Sequence, residues 1–245
     1  MRVDEDKCTG CLECIDYCPV GAISQAGGGI VSIDQDECVE CGCCLRIGVC
    51  EYEALWQPEL EWPRILRAQF SNPAVPHPST SVGGRGTEET KTNDVTGRYP
   101  RGYIGIAAEL GRPGTGTSIA DVEKVAQAIL PLGVEFEQDN PTYPLFEDIA
   151  QGKLREGIRD EKVLSAILEF KMTEARAPEV LKALYRVAKE VDTVISMNIG
   201  SVLEPDSSVP AERVAKEAGF QIRPNGKSNI GLGRPRVEIS QVIKQ

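Results

Sequence analysis

All nine cysteines of the 245-residue chain fall between Cys8 and Cys50, and the 195 residues that follow hold none. Four of them read C-x2-C-x2-C-x3-C-P: Cys8, Cys11, Cys14 and Cys18, then Pro19. A second run repeats the rhythm with Cys38, Cys41 and Cys44, but Cys50 follows after five residues rather than three. The flanks repeat as well. Val3-Asp4-Glu5-Asp6-Lys7-Cys8 matches Ile33-Asp34-Gln35-Asp36-Glu37-Cys38, and Ala22-Ile23 matches Ala54-Leu55. Each half reads as a short strand, a ligand loop, a helical turn and a second short strand, with Gly27-Gly28-Gly29 as the turn between halves. Halves of about 25 residues cannot hold a hydrophobic core alone, so groups bound by the cysteines must supply much of the stability. The odd cysteine count and the polar start, Met1 to Lys7, speak against a disulfide framework and a secretion signal. Zinc would take four cysteines, leave five unexplained and have no use for the C-P ending.

The spacing resembles that of the bacterial dicluster ferredoxins, whose centres are cubane [4Fe–4S] clusters. The resemblance covers residues 1–56. A cube needs a thiolate at each of its four corners. Three cysteines at two-residue gaps wrap three adjacent irons, and the fourth ligand must come from elsewhere. In that family the last cysteine of each run serves the other cluster. The resemblance therefore implies one cluster on Cys8, Cys11, Cys14 and Cys50, and a second on Cys38, Cys41, Cys44 and Cys18. Such shared runs would bring the cubes close enough for electron hopping. Two departures fall on the second run: the longer gap before Cys50, and Glu51 where proline would stand. Cys50 is thus the ligand that the pattern fixes least, and its loss would leave a three-iron cluster. Cys43 breaks the rhythm and is expected to be a buried non-ligand.

The net charge is −10, of which residues 1–56 carry −8, with eleven Asp/Glu against three Lys/Arg. An acidic cluster domain repels phosphates and so disfavours nucleic acid. It suits docking onto a basic patch of a redox partner, although solubility alone would also account for it. No apolar run approaches membrane-spanning length. With neither a secretion nor a twin-arginine leader, and with clusters that oxygen damages, a cytoplasmic protein of an anaerobic cell is the expectation.

The length suggests two domains, and the 41% hydrophobic content is enough for a globular core. Residues 57–99 read as a Pro/Gly-rich linker or a docking arm, because Pro58, Pro63, Pro73, Pro76 and Pro78 interrupt regular structure. One helical turn is expected near Arg64–Phe70. His77, the chain's single histidine, lies between two prolines and reads as a loop residue. Gly83-Gly84-Arg85-Gly86-Thr87 is a candidate anion nest.

Residues 100–245 read as a second domain with a C-terminal extension. Strands are expected at Tyr103–Glu109, Val134–Glu137, Val163–Met172 and Thr193–Ile199, with irregular chain at 138–162. Helices follow Ser118, with Asp121 completing a capping box, and Pro178. The apolar faces are Ile119, Val122, Ala126 and Ile129, and then Val180, Leu181, Leu184, Val187, Ala188 and Val191. The order βαβ, connection, βαβ predicts an α+β fold with a split-βαβ antiparallel sandwich. A short helix at Pro210–Ala218, a strand at Phe220–Arg223, a turn at Pro224-Asn225-Gly226 and a basic stretch from Lys227 to Arg236 complete the chain.

The stretch Gly111-Arg112-Pro113-Gly114-Thr115-Gly116-Thr117-Ser118 lies between a predicted strand and a helix N-terminus, where free amides favour anions. Arg112, Gly114 and Gly116 are candidate cofactor-binding residues there, with a flavin or a substrate phosphate as occupant. The stretch lacks the lysine of a P-loop and the third glycine of a dinucleotide fingerprint, which leaves a plain glycine-rich turn as the simpler account. Gly84 to Glu89, Thr92 to Gly97, Gly111 to Gly114 and Asp121 to Val125 also resemble iron–sulfur proteins of the 6-hydroxynicotinate reductase type. That resemblance implies reduction of a nitrogen heteroaromatic ring with ferredoxin electrons. Three functions follow: an electron-transfer protein or subunit of a larger complex, a reductase, or a redox-sensing module that binds a ligand or oligomerises. No spacing of acids and bases singles out a catalytic pair.

Overall fold

The computed structural model describes residues 1–83, 93–112 and 114–222. Most of the 83–87 nest, the 224–226 turn, the 227–236 stretch and residues 84–89 of the reductase resemblance lie outside them.

The N-terminal fifth folds as two matching halves. Strands β1 (Arg2–Val3) and β2 (Ile23–Gln25) belong to the first half, and β3 (Val31–Ile33) and β4 (Leu55–Trp56) to the second. Pairing is antiparallel and crosses between halves, β1 with β4 and β2 with β3. The crossing is carried into the loops: the Asp4 amide bonds the Ala54 carbonyl at 2.7 Å, and the Asp34 amide bonds the Ala22 carbonyl at 2.8 Å. Met1, Ala22, Ile23, Val31 and Leu55 form its small core together with cysteines. Where the first half has a 3-10 turn at Ile15–Tyr17, the second has the α-helical turn α1 (Cys43–Arg46). That fuller turn, followed by Gly48 at φ 68°, takes up the two extra residues before Cys50.

After α2 (Ile65–Ser71) and α3 (Asn93–Thr96), the larger unit runs β5 (Tyr103–Leu110), β6 (Thr117–Ser118), α4 (Ile119–Ile129), β7 (Glu135–Phe136), β8 (Phe146–Asp148), β9 (Lys153–Leu154), β10 (Lys162–Val163), β11 (Ala166–Thr173), α5 (Ala177–Val187), β12 (Ile195–Ser201) and α6 (Pro210–Glu217). The fold is α+β. Its main sheet has the order β12-β5-β11-β7, antiparallel at every pairing. Period-2 alternation puts Ile104, Ile106, Ala108 and Leu110 of β5, and Ala166, Leu168, Phe170 and Met172 of β11, into one core. The apolar faces of α4 and α5 fill the same core. Ser118 caps α4, its Oγ accepting the Asp121 amide at 3.0 Å.

Several elements differ from the sequence reading. The strand expected at Val163–Met172 is two strands, because β10 pairs with β6 and only β11 enters the main sheet. Between them, the Leu164 amide donates to Ser71 Oγ at 2.8 Å instead of to a strand neighbour. Residues 138–162 contain the β8–β9 hairpin. Residues 220–222 form no strand, and Phe220 stands edge-on to Tyr185.

Residues 57–83, read as a linker or arm, are built into the fold. Leu66 and Phe70 of α2 belong to the core of the larger unit. His77 is a loop residue, yet it is buried, its ring edge-on to Phe70 with centroids 5.0 Å apart. Its Nδ1 lies 2.8 Å from Ser79 Oγ, and burial holds its pKa below the ordinary value.

Candidate metal centres

The two ligand loops follow one backbone plan. The amide of Cys8 bonds the Asp4 carbonyl, and that of Cys38 bonds the Asp34 carbonyl, both at 3.0 Å. Each loop then makes two left-handed steps at matching positions: Gly10 (φ 72°) and Leu12 (φ 66°) in the first, Glu40 (φ 53°) and Gly42 (φ 64°) in the second. These steps turn successive cysteines of a C-x2-C-x2-C run toward one side. Gly10 admits no side chain, since a Cβ there would stand 1.8 Å from the Gly29 carbonyl oxygen.

The structure brings the cysteines together in crossed sets. Cys8, Cys11, Cys14 and Cys50 line one cavity of about 330 Å³, open to solvent, with Leu12, Val31 and Tyr52 among its walls. Burial pushes the Cys14 thiol pKa up, and the nearby Cys11, Cys50 and Cys8 push it further. In the second set, burial and then the nearby Cys41, Cys18 and Cys38 push the Cys44 thiol up to about 12. The Cys41 pKa is raised by burial too, with Cys43, Cys18 and Cys38 adding to it. Four thiolates confined in one apolar site repel each other, so a cationic core that draws off their protons suits this arrangement.

Cys50 takes the place that Cys18 holds in the first half. The Ala22 amide lies 3.1 Å from Cys18 Sγ, and the Ala54 amide lies 3.3 Å from Cys50 Sγ. These alanines are the repeat partners read from sequence, so the longer gap leaves the geometry at the fourth cysteine unchanged. Cys43 departs from expectation, being half-buried rather than buried. Adjacent residues on a helical turn point about 100° apart, so Cys44 faces inward while Cys43 does not. Among the described residues, no three His, Cys, Asp or Glu side chains converge as a single metal ion requires. A tetrahedral zinc, with bonds of about 2.3 Å, would draw four sulfurs far closer than a cube does.

The second site is roofed by side chains that the sequence reading did not single out. Glu40, inside the ligand loop, is fully buried. It accepts from Arg64 Nε at 2.7 Å, from Gln57 Nε2 at 2.9 Å and from the Met1 amino group. Burial alone would raise its pKa, but the bonds from Met1, Gln57 and Arg64 bring it below the usual carboxylate value. Arg64 and Arg67 both bond the Gln35 carbonyl, and Arg67 reaches on to Asp36 and Cys38. Arg67 also pairs with Glu161, and Lys162 with Glu37, so the larger unit is tied to this loop. A single Arg-x-x-Arg on a predicted helical turn was the only trace of this roof in the sequence.

The glycine-rich stretch belongs to the same contact. A Cβ at Gly116 would stand 3.3 Å from Val20 and 4.0 Å from Val39 of the cysteine-rich unit. The first amides of α4 are already taken: Ile119 by the Glu161 carbonyl, Ala120 by the Arg159 carbonyl and Asp121 by Ser118 Oγ. Arg112 pairs with buried Glu109 at 3.1 Å. The helix amides on which the expected flavin or phosphate cradle at Arg112, Gly114 and Gly116 would draw are thus occupied at Ile119, Ala120 and Asp121. Gly111 at φ 81° and Gly116 at φ 77° serve a tight packing turn instead.

The family described as 4Fe-4S binding domain matches residues 1–24. A ferredoxin of Methanothermococcus thermolithotrophicus is 34% identical over 57 residues, which is 22% of this chain and 92% of that protein. The chain belongs to the ferredoxin family. This membership rests on the N-terminal ferredoxin domain. A probable ferredoxin of Methanosarcina thermophila is 49% identical over 36 residues, covering 15% of this chain and 62% of that protein. The pyruvate synthase subunit PorD of Thermotoga maritima is 39% identical over 59 residues, covering 24% of this chain and 58% of that protein. The chain thus spans less than two thirds of these two relatives. No solved structure matches it. The N-terminal domain is thus of the 4Fe–4S, iron–sulfur ferredoxin type. Among the described residues, no helix is long and apolar enough to cross a membrane.

Proposed function

We propose that the chain is an electron-transfer protein, or the electron-transfer subunit of a larger oxidoreductase, with two [4Fe–4S] clusters. Cys8, Cys11, Cys14 and Cys50 would hold one cluster, and Cys18, Cys38, Cys41 and Cys44 the other. The observation that carries the reading is the convergence of Cys50 with the first run, while Cys18 joins the second. When bound, each cluster accepts and gives up one electron at a time.

The chain's own residues do the rest. Backbone amides of Ala22 and Ala54 point at sulfur and stabilise thiolate charge. The exposed first loop, with Cys11 at the surface, is the side where a partner can approach. The acidic surface of residues 1–56 selects a partner with a basic patch and not nucleic acid. The similarity to a pyruvate synthase subunit favours a place inside an enzyme complex. The proposed parts are a ferredoxin domain at 1–56, a connecting segment at 57–99 whose helix α2 packs into the larger unit, and a split-βαβ sandwich domain with a C-terminal extension at 100–245. Oxygen-free reduction by dithionite tests the reading. Two electrons should enter per chain reversibly, with no turnover until a partner is added. Turnover of a heteroaromatic substrate by the chain alone would overturn it.

A further inference from the structure

The repeat gives the two cysteine sets the same backbone, yet their surroundings differ. Residues 38–42 are all buried, whereas Thr9 and Cys11 of the matching loop are exposed. The difference comes from α2, which the first half has no counterpart for. Arg67 of α2 is 5% exposed, and its Nη1 donates to the carbonyls of Gln35 (2.9 Å), Asp36 (3.0 Å) and Cys38 (2.9 Å). Among the described residues, no guanidinium bonds the matching carbonyls of Glu5, Asp6 and Cys8.

We propose that Arg67 is a positioning residue for the enclosed centre. Its guanidinium fixes the turn that carries Cys38 and raises the reduction potential of the centre on Cys18, Cys38, Cys41 and Cys44. The solvent-facing centre is left untouched. This rests on the two-cluster reading above. A guanidinium stays charged at every pH a protein survives. Buried, it is poorly screened by salt or water. A positive charge beside a centre favours the more negative, reduced form, against the burial that disfavours it. Glu161 binds the Nε edge of the same guanidinium and offsets part of that charge. Of the other charges nearby, Arg64 and the Met1 amino group share Glu40, and Lys162 pairs with Glu37. Raising the enclosed centre draws the electron away from the exposed loop and toward the larger unit, which covers that centre.

The pair provides a test of sign. Arg67→Gln removes a positive charge and should make the enclosed centre harder to reduce. Glu161→Gln removes the offsetting negative charge and should make it easier to reduce. Loosening of the loop would act the same way in both variants, whereas the charge effect has opposite signs. Arg67→Lys keeps the charge and should stay near the parent even though the three-carbonyl clamp is lost. The experiment is an oxygen-free potentiometric titration of the full chain, followed by EPR, with iron counted in each sample. About a tenfold change in the reduced-to-oxidised ratio is expected for Arg67→Gln, which is ~59 mV for a one-electron step. Only one of the two centres should move. A parent with iron for a single cluster overturns the two-cluster reading, and this inference with it. Full iron with both variants shifting in the same direction, or with neither shifting, overturns the role of Arg67 alone.

Discussion

Glu40 should be a sensitive residue of the ferredoxin domain, for two separable reasons. Its carboxylate is fully buried and neutralises Arg64, whose Nη2 lies 2.6 Å away. Its backbone holds φ 53°, the position that glycine occupies in the first half. Removing one partner of a buried pair costs roughly 3–5 kcal/mol. Arg64 keeps some solvent access and its bonds to Gln35, but the buried Met1 amino group loses its partner as well, which puts Glu40→Ala at about 3 kcal/mol or more. Alanine keeps the strain of the left-handed step, about 1–2 kcal/mol, which glycine relieves. Glu40→Gly should therefore recover about 1 kcal/mol of that loss, after allowing for glycine's freer unfolded chain. The assay is the urea midpoint for bleaching of the visible iron–sulfur absorbance in oxygen-free buffer. With a slope of about 3 kcal/mol per M, the midpoint should fall by about 1 M for Glu40→Ala and less for Glu40→Gly. An alanine variant within about 0.5 kcal/mol of the parent would refute the buried network as the brace of this loop. A glycine variant no better than alanine would refute the backbone argument.

Phe70→Ala should destabilise the larger unit by about 3–5 kcal/mol, since the ring is buried in its core, and should also loosen the Arg67 clamp; unfolding monitored by circular dichroism checks this. His77 makes the protein acid-sensitive. Its folded pKa lies below the unfolded value of about 6.5, so the unfolded chain binds the extra proton first, and stability falls as pH drops below about 6.5. His77→Gln should flatten that part of the profile, and an unchanged slope between pH 7 and 5 would count against the buried neutral imidazole. Gly10→Ala should block assembly of the first site, because its Cβ meets the Gly29 carbonyl; visible absorbance per chain should drop to about half, and a full spectrum would contradict the close approach.

The ferredoxin domain was legible because its ligands lie close in sequence and its two halves repeat. Even Cys50, the residue the pattern fixed least, found its place through Ala54, already visible as the partner of Ala22. The helices α4 and α5 were legible from their apolar stripes, with Ile119, Val122, Ala126 and Ile129 all fully buried. What could not be read were contacts between distant residues. Nothing local in Ile65–Ser71 says that its apolar side joins one core while Arg67 reaches the other unit's ligand loop. The prolines around it suggested a linker, but they only bound a short helix that is held by tertiary contacts. The glycine-rich stretch was ambiguous for a related reason. A turn that packs closely against Val20 needs the same glycines as a turn that cradles a phosphate, and only the occupied amides of Ile119, Ala120 and Asp121 distinguish them.

The crossed sharing of cysteines is best tested by metal content. Protein purified without oxygen should contain about eight irons and eight sulfides per chain, the stoichiometry of two four-iron cubes. Cys18→Ser should cost the cluster associated with the second run, and Cys50→Ser the one associated with the first. Far fewer than eight irons in the parent, or an unperturbed second centre in Cys18→Ser, would contradict the account.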